Sequence, residues 1–378
     1  MFAMDDLTEY LAGFGEEPGY LDFAAFGPLS AAVVAESAAQ EDLVRRARFG
    51  ARDRLATNAD RMRDAAAVLT GFRADQIAFQ PSTGQGVTQA VYALAGGVLF
   101  SPADYPALPI AVARASEALQ VVTPIPFEAD GGRITPGGVR EALTGTTMAV
   151  LVSAVDARTG AVADLDGIRQ VIGDRLLIVD AVQALGAVDL PWDAADVVAC
   201  GGQKWLRAGW GTGFLAVSDR AASRLTPVLS GEGGTGAGPT WDAVLPAADG
   251  ATGMQISNPD QVAAARLAAA MEDLAHAGPA AVAAAIAARV AQVLALADEF
   301  GLPVVSPRAE AERAGIVVVE PLPERLTALT AALFNHGVSV TIRDGRVRLS
   351  PHAGTTEETI GMLRTALSAY ATAVRPVR

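Results

Sequence analysis

Between residues 76 and 217 the chain alternates short apolar, β-branched blocks with longer stretches of helical period. The blocks at 76–79, 97–100, 120–124, 148–155, 176–180, 196–200 and 213–217 predict strands, being short, almost wholly apolar and bounded by polar or Gly/Pro residues. Strands apolar on both faces must be covered on both faces. The segments 106–119, 136–143 and 165–172 between them space their apolar residues as helices do, and so do 31–49 and 52–70 ahead of the first block. The strand at 76–79 runs into Pro81-Ser82-Thr83-Gly84-Gln85-Gly86, and the next helix is predicted over 87–94. Such alternation predicts an α/β fold with a mostly parallel central sheet.

The pattern changes after residue 225. A Gly- and Pro-rich stretch to 253 is followed by two Ala-rich helices, 259–277 and 279–300. Strands near Val304 and at 316–319, 338–343 and 346–349, with helices 324–336 and 356–373, form a smaller α+β unit. The expected division is a large domain over 20–255 and a small one over 256–378, joined by the N-terminal segment 1–19. That segment is acidic and broken by Gly and Pro, unlike a targeting peptide. The apolar runs are interrupted by charged residues and are not expected to span a membrane.

Charge removes one class of partner. With 42 acidic against 29 basic residues the net charge is −13, and no basic stripe stands out to neutralise phosphates, so nucleic acid is not an expected partner. Cys200 is the single cysteine, which leaves no intrachain disulfide and fits a cytoplasmic protein.

The candidate chemistry begins with Lys204, the sole lysine among those 29 basic residues. On a surface or against a phosphate, arginine serves as well or better; only lysine can lose its proton near neutral pH and form a Schiff base with a carbonyl. Asp180 ends one apolar block and Lys204 follows another, so an acid and an amine fall at the ends of neighbouring strands. A buried carboxylate needs a partner, and the protonated ring nitrogen of pyridoxal phosphate (PLP) is one. Thr83, Gly84 and Gln85, at the start of a helix, offer amides and a hydroxyl to a phosphate. Gln183 could donate to the phenolic oxygen of the ring, and Tyr105 could stack on its face. Each of these has an ordinary alternative, as helix cap or packing residue.

Taken together, these segments resemble the class V aminotransferase family of fold-type I PLP enzymes, which includes cysteine desulfurases, kynureninases and isopenicillin-epimerase-like proteins. The resemblance runs from Tyr20-Leu21-Asp22-Phe23-Ala24-Ala25 through the motifs around 81–86, 104–106 and 153–160 to Arg348 and His352. It is most specific over 178–215. It implies that Lys204 is the Schiff-base lysine, Asp180 the partner of the ring nitrogen and Gln183 a contact to the phenolic oxygen. It assigns the phosphate to Thr83, Gly84 and Gln203, with Ser257 contributed by the partner subunit of a homodimer. Arg348 would hold the carboxylate of an amino-acid substrate, a bidentate task suited to guanidinium.

The chain also departs from that pattern. Gly201-Gly202-Gln203 stands where many relatives have Ser-x-His before the lysine, and Ala157 where many have Asn. Desulfurases carry a persulfide-forming cysteine in the C-terminal domain, whereas no cysteine follows Cys200. On that ground the sequence reading excludes a desulfurase. Gly231-Glu232-Gly233-Gly234-Thr235-Gly236 fits a dinucleotide fingerprint in letters only, since Pro239 and Trp241 follow where a helix should begin. The stretch 231–238 reads as a loop able to cover a site. His276, His336 and His352 lack metal-ligand spacing. The expected activity is transamination, with Cβ–S or Cβ–C lyase second and amino-acid epimerase third; a catalytically inert PLP fold is the non-enzymatic alternative.

Overall fold

The computed structural model describes residues 2–129, 133–237 and 240–374. It opens with helices α1 (Phe2–Ala12), α2 (Ala31–Arg46) and α3 (Ala51–Thr70). Strand β1 (Ile77–Phe79), helix α4 (Thr83–Tyr92), β2 (Gly96–Phe100), α5 (Ala107–Leu119), β3 (Val122–Pro126) and α6 (Pro136–Ala142) follow. Next come β4 (Thr147–Ser153), α7 (Leu165–Ile172), β5 (Leu176–Asp180), β6 (Val197–Gly201), β7 (Gly213–Val217) and the short helices α8 (Asp219–Ala222) and α9 (Gly250–Gly253). The C-terminal third holds α10 (Gln261–Ala277), α11 (Pro279–Glu299), β8 (Val317–Val319), α12 (Pro323–Asn335), β9 (Thr341–Arg343), β10 (Arg346–Leu349) and α13 (Glu357–Ala373).

The first seven strands form one sheet in the order β1-β7-β6-β5-β4-β2-β3. β3, β2, β4, β5 and β6 run parallel; β7 is antiparallel to β6, and β1 is antiparallel to β7. Two reversals restore the original direction, so β1, β2, β4, β5 and β6 all end at the same edge. That edge is where an open α/β sheet binds its ligand. All five residues of β5 and of β6 are buried, as strands covered on both faces must be. A second sheet, β8-β10-β9, is wholly antiparallel.

The structure differs from the sequence reading at several places. Helix α4 starts at Thr83, four residues early, because the Ser82 side chain accepts a hydrogen bond from the Gln85 amide and caps it there. β3 begins two residues late because Gln120, at φ 57°, is the left-handed C-cap of α5. Val304 makes a single bridge to Val319, and the strand expected at 338–343 shrinks to Thr341–Arg343. The segment read as broken contains α1. α10 packs along α3 and α2 and so joins the helices of the larger sheet, although the sequence grouping sets it with the smaller unit. α11, with a mean hydropathy of 1.9, is long and apolar enough to cross a membrane, contrary to the sequence reading. Here Val282, Ile286, Val290, Val293 and Leu294 of α11 are spent in the core, and its other face is largely alanine.

Candidate active site

β5 delivers Asp180 to the common edge of the sheet, and the turn after β6 delivers Lys204 beside it. Asp180 is 3% exposed and Lys204 8%. Oδ1 of Asp180 accepts the Val182 amide at 2.9 Å. Burial lifts this carboxyl to about 6; the Val182 amide and Lys204 hold it back, while the Asp104 charge adds to the rise. Burial likewise pushes the Lys204 ammonium down to about 8, against the pull of Asp180 and with the help of the Arg348 cation. The amine is thus readily deprotonated near neutral pH, the condition for a lysine nucleophile. Its Nζ lies 5.4 Å from the centre of the Tyr105 ring, which rises from the loop between β2 and α5.

The turn bearing Lys204 is fixed from outside. Gly27 donates its amide to the Gln203 carbonyl at 2.8 Å, and a Cβ at Gly27 would lie 2.1 Å from the Lys204 carbonyl oxygen, so only glycine fits. Arg207 adopts φ 59°, unusual for a residue with a side chain. Its guanidinium lies 3.5 Å from the Phe14 ring centre, and its Nε donates to the Pro28 carbonyl at 2.9 Å. His352, fully buried, contacts the Trp205 carbonyl at 3.2 Å. Burial pushes its pKa down to about 3, with the Arg207 charge assisting, so it packs as a neutral ring.

At the N-terminus of α4 the amides of Thr83 and Gly84 are the first orphan donors of the helix. Thr83 is 6% exposed, yet its Oγ1 has no hydrogen-bond partner among the described residues. Gln203 comes to the same place: a Cβ at Gly201 would lie 2.9 Å from Thr83 Oγ1 and 2.3 Å from Gln203 Oε1. A buried hydroxyl held unpaired beside a helix N-terminus suits a phosphate oxygen. One expectation is corrected. Gln85 does not join this cradle, because its amide is taken by Ser82 and its side chain is exposed. Gln183 is engaged at both ends of its amide, donating to the Ala24 carbonyl at 3.0 Å and accepting Trp205 Nε1 at 2.9 Å. Only its second amide hydrogen remains for a phenolic oxygen.

Arg348 rises from β10, where Arg346 and Arg348 share the less buried face and Val347 and Leu349 are packed beneath. Its Nη2 donates to Thr341 Oγ1 at 3.0 Å and its Nη1 to the Ala157 carbonyl at 3.3 Å; its Nε is buried without a partner. Arg348 and Tyr105 line one cleft of about 380 Å³ with Pro102, Pro106, Arg158 and Val318. Arg346 is drawn aside to Glu320 at 2.9 Å. Ser257 is exposed, with its Oγ near only its own neighbour's carbonyl, and packs beside Gly233 away from the cleft. The loop expected over 231–238 is described to Ala237, with Gly238 outside the described residues; Gly231 and Gly233 lie close against Ile256 and Ser257. Sequence reasoning missed Asp22, Asp104, Ser153 and Thr341 as neighbours of the site; Asp22, Asp104 and Ser153 lie inside quoted motifs, but nothing local marks Thr341.

A buried amine and a buried carboxyl at adjacent strand ends, with a phosphate cradle at a helix N-terminus, define a fold-type I PLP site. The particular family follows from comparison. The class-V aminotransferase family model matches residues 19–374, and the chain belongs to that family of enzymes, whose cofactor is PLP. A probable cysteine desulfurase of Methanothermobacter thermautotrophicus is 29% identical over 188 residues, 46% of this chain and 46% of the relative. The soluble hydrogenase 42 kDa subunit of Anabaena cylindrica is 42% identical over 78 residues, 19% of this chain and 20% of the relative. The chain therefore matches less than half the length of these curated relatives. The solved cysteine desulfurase of Thermococcus onnurineus NA1 superposes with a TM-score of 0.82 at 18% identity, over 94% of this chain and 95% of that one. The cystine C-S lyase C-DES, in complex with its product cysteine persulfide, gives 0.80 at 18% identity, over 93% and 97%. At such identities the likeness of the solved structures speaks for the fold.

Proposed function

We propose that the chain is an aminotransferase acting at Cα of an amino-acid substrate, with Lys204 moving the proton and Arg348 holding the substrate carboxylate. One observation carries this reading: Arg348 lines the same cleft as Tyr105, whose ring stands 5.4 Å from the Lys204 amine. Bound PLP supplies an electron sink for negative charge at Cα. Thr83, Gly84 and Gln203 hold its phosphate and Asp180 its ring nitrogen. Tyr105 and Arg348 wall the cleft, so that a carboxylate seated on Arg348 presents Cα toward Lys204. Nζ of Lys204 takes the Cα proton, and transamination requires it to release that proton at a different atom.

The cleft extends past Arg348 to Pro102, Pro106 and Val318. Such room for a substituent on Cβ supports a Cβ–S or Cβ–C lyase as the second reading, in which Lys204 retains the proton while the substituent leaves. An epimerase, third, returns it to the opposite face of Cα. Sulfur transfer to a protein thiol falls outside the proposal. Cys200 is the only cysteine, lies within β6 at 1% exposure, and has its thiol pKa raised by burial.

The proposal includes a homodimer in which the partner subunit brings Ser257 to the phosphate. Its support is the exposure of Ile256, Ser257 and Asn258 in one loop. Light scattering showing a monomer with full PLP occupancy would overturn this part.

The reaction is tested by incubating holoenzyme with a panel of amino acids and cysteine conjugates, with and without an added keto acid. The expected result is a keto acid formed from the substrate and its amino group recovered on the added keto acid. Stoichiometric pyruvate and ammonia, with no amino group recovered, would replace this reading with the lyase. Deuterium uptake at Cα without net conversion would replace it with the epimerase.

A further inference from the structure

Asp104, the residue before Tyr105, accepts three hydrogen bonds at the cleft, and no step of the chemistry above uses it. Its Oδ1 accepts hydrogen bonds from Ser153 Oγ at 2.6 Å and from the Tyr105 amide at 2.6 Å. Its Oδ2 accepts the Ser153 amide at 3.0 Å. Ser153 is the last residue of β4 and stands opposite Asp180 in the β4–β5 register. A single carboxylate therefore ties the backbone of Tyr105 to the strand end beside the one that carries Asp180.

The ordinary explanation for an aspartate at this place is a helix cap. It fails here, because the N-cap of α5 is Pro106 and Asp104 accepts no hydrogen bond from the amides of that helix. Nor does an ion pair account for it; its partners are two amides and a hydroxyl. Burial raises its pKa and Asp156 adds to the rise, so this carboxylate is held at a cost that a neutral residue would avoid. What it gains is the place of Tyr105. That side chain is 45% exposed, so packing alone does little to fix its ring over the Lys204 amine.

We propose that Asp104 is a positioning residue: by bonding Ser153 and the Tyr105 amide at once, it fixes the Tyr105 ring as the wall against which the cofactor is oriented. The inference rests on the assignment of PLP to this site. Asp104 is proposed to act through Tyr105 and touches no reacting atom.

The test uses holoenzyme and three variants, Asp104→Asn, Tyr105→Ala and the two combined, with PLP as the probe. Two quantities are read: the dissociation constant for PLP and the visible circular dichroism of the bound cofactor. The asparagine keeps the size but loses the charge and turns a donor toward at least one donor. PLP binding should weaken about tenfold, as when a charge-assisted hydrogen bond is lost, and the visible dichroism should fall. Tyr105→Ala should do the same, and the double variant should be no worse than Tyr105→Ala alone. Ser153→Ala, which removes one hydroxyl and no charge, should move both readouts in the same direction, and it carries the test if Asp104→Asn does not fold. Wild-type affinity and dichroism in Asp104→Asn, or losses that add in the double variant, would overturn the proposal alone. A wild-type chain that takes up no PLP would overturn the cofactor assignment with it.

Discussion

Asp22 stands 3.6 Å from Arg348, and Thr341 joins the two: its hydroxyl donates to Asp22 Oδ1 at 2.7 Å and accepts Arg348 Nη2 at 3.0 Å. Asp22 lies between α1 and α2 and Arg348 in the second sheet, so the guanidinium is held in place by contacts within the fold. Burial lowers the pKa of Arg348 and the Asp22 carboxylate opposes that fall. The buried Nε, without a partner among the described residues, is one of the donors left for an incoming carboxylate.

Arg348→Ala should therefore lower kcat/KM by about 1.5–3 kcal/mol of transition-state stabilisation, the range of a hydrogen bond to a charged group. PLP binding should be unchanged, since Arg348 lies on the substrate side of the cleft. Steady-state kinetics on the best amino acid of the panel, with a PLP titration, checks both. Wild-type efficiency would place the carboxylate elsewhere.

Lys204→Arg keeps the positive charge but cannot form a Schiff base. The purified variant should lack the visible absorbance of the bound cofactor, and borohydride should attach nothing to it. Mass spectrometry after reduction is the measurement: the wild type should gain one pyridoxyl group at residue 204, and the variant none.

The amine of Lys204 titrates at about 8 in place of 10.5, chiefly because it is buried. PLP uptake by the cofactor-free chain should accelerate through a midpoint near 8 as pH rises. Stability follows the same shift. Between pH 8 and 10.5 the unfolded lysine binds a proton that the folded one has released, so this group's contribution rises with pH across that window and is flat outside it. In denaturant unfolding the wild type should gain stability relative to Lys204→Met as pH rises over this interval. A constant difference would mean that the amine is not depressed.

Thr83→Val removes a buried hydroxyl that has no partner among the described residues. The apoprotein should be as stable as the wild type or slightly more so, because an unsatisfied group is replaced by a methyl. Binding of PLP should weaken by about 1 kcal/mol, the net worth of one hydrogen bond. Thermal unfolding with and without PLP separates the two effects.

The two ends of the chemistry were legible in the sequence for local reasons. Lys204 stood out because arginine had replaced every other lysine, and Asp180 because it closed an apolar run. The limits of α7, β5 and β7 were read to the residue, since turn residues bound them. The start of α4 was misplaced although the signal was present: Ser82 followed by Gln85 three residues later is a capping pattern. The bond between Asp104 and Ser153 could not have been read. Ser153 is 49 residues away and reaches Asp104 only because β2 and β4 lie side by side. Nor could the second engagement of Gln183, whose partners Ala24 and Trp205 come from 159 and 22 residues away. Alanine-rich helices announce that they are helices, but small side chains name no neighbour, so the packing of α10 along α3 and α2 could not be read from its sequence.

The burial of the chain's single lysine also makes its covalent history easy to read. A lysine-specific protease has one address in the whole polypeptide, the bond after Lys204, and the fold hides it. Once the chain is unfolded that bond is cut only where Nζ is still a free amine. The fraction that stays whole after reduction and digestion therefore counts, molecule by molecule, how much of a preparation had carried a carbonyl compound on that nitrogen.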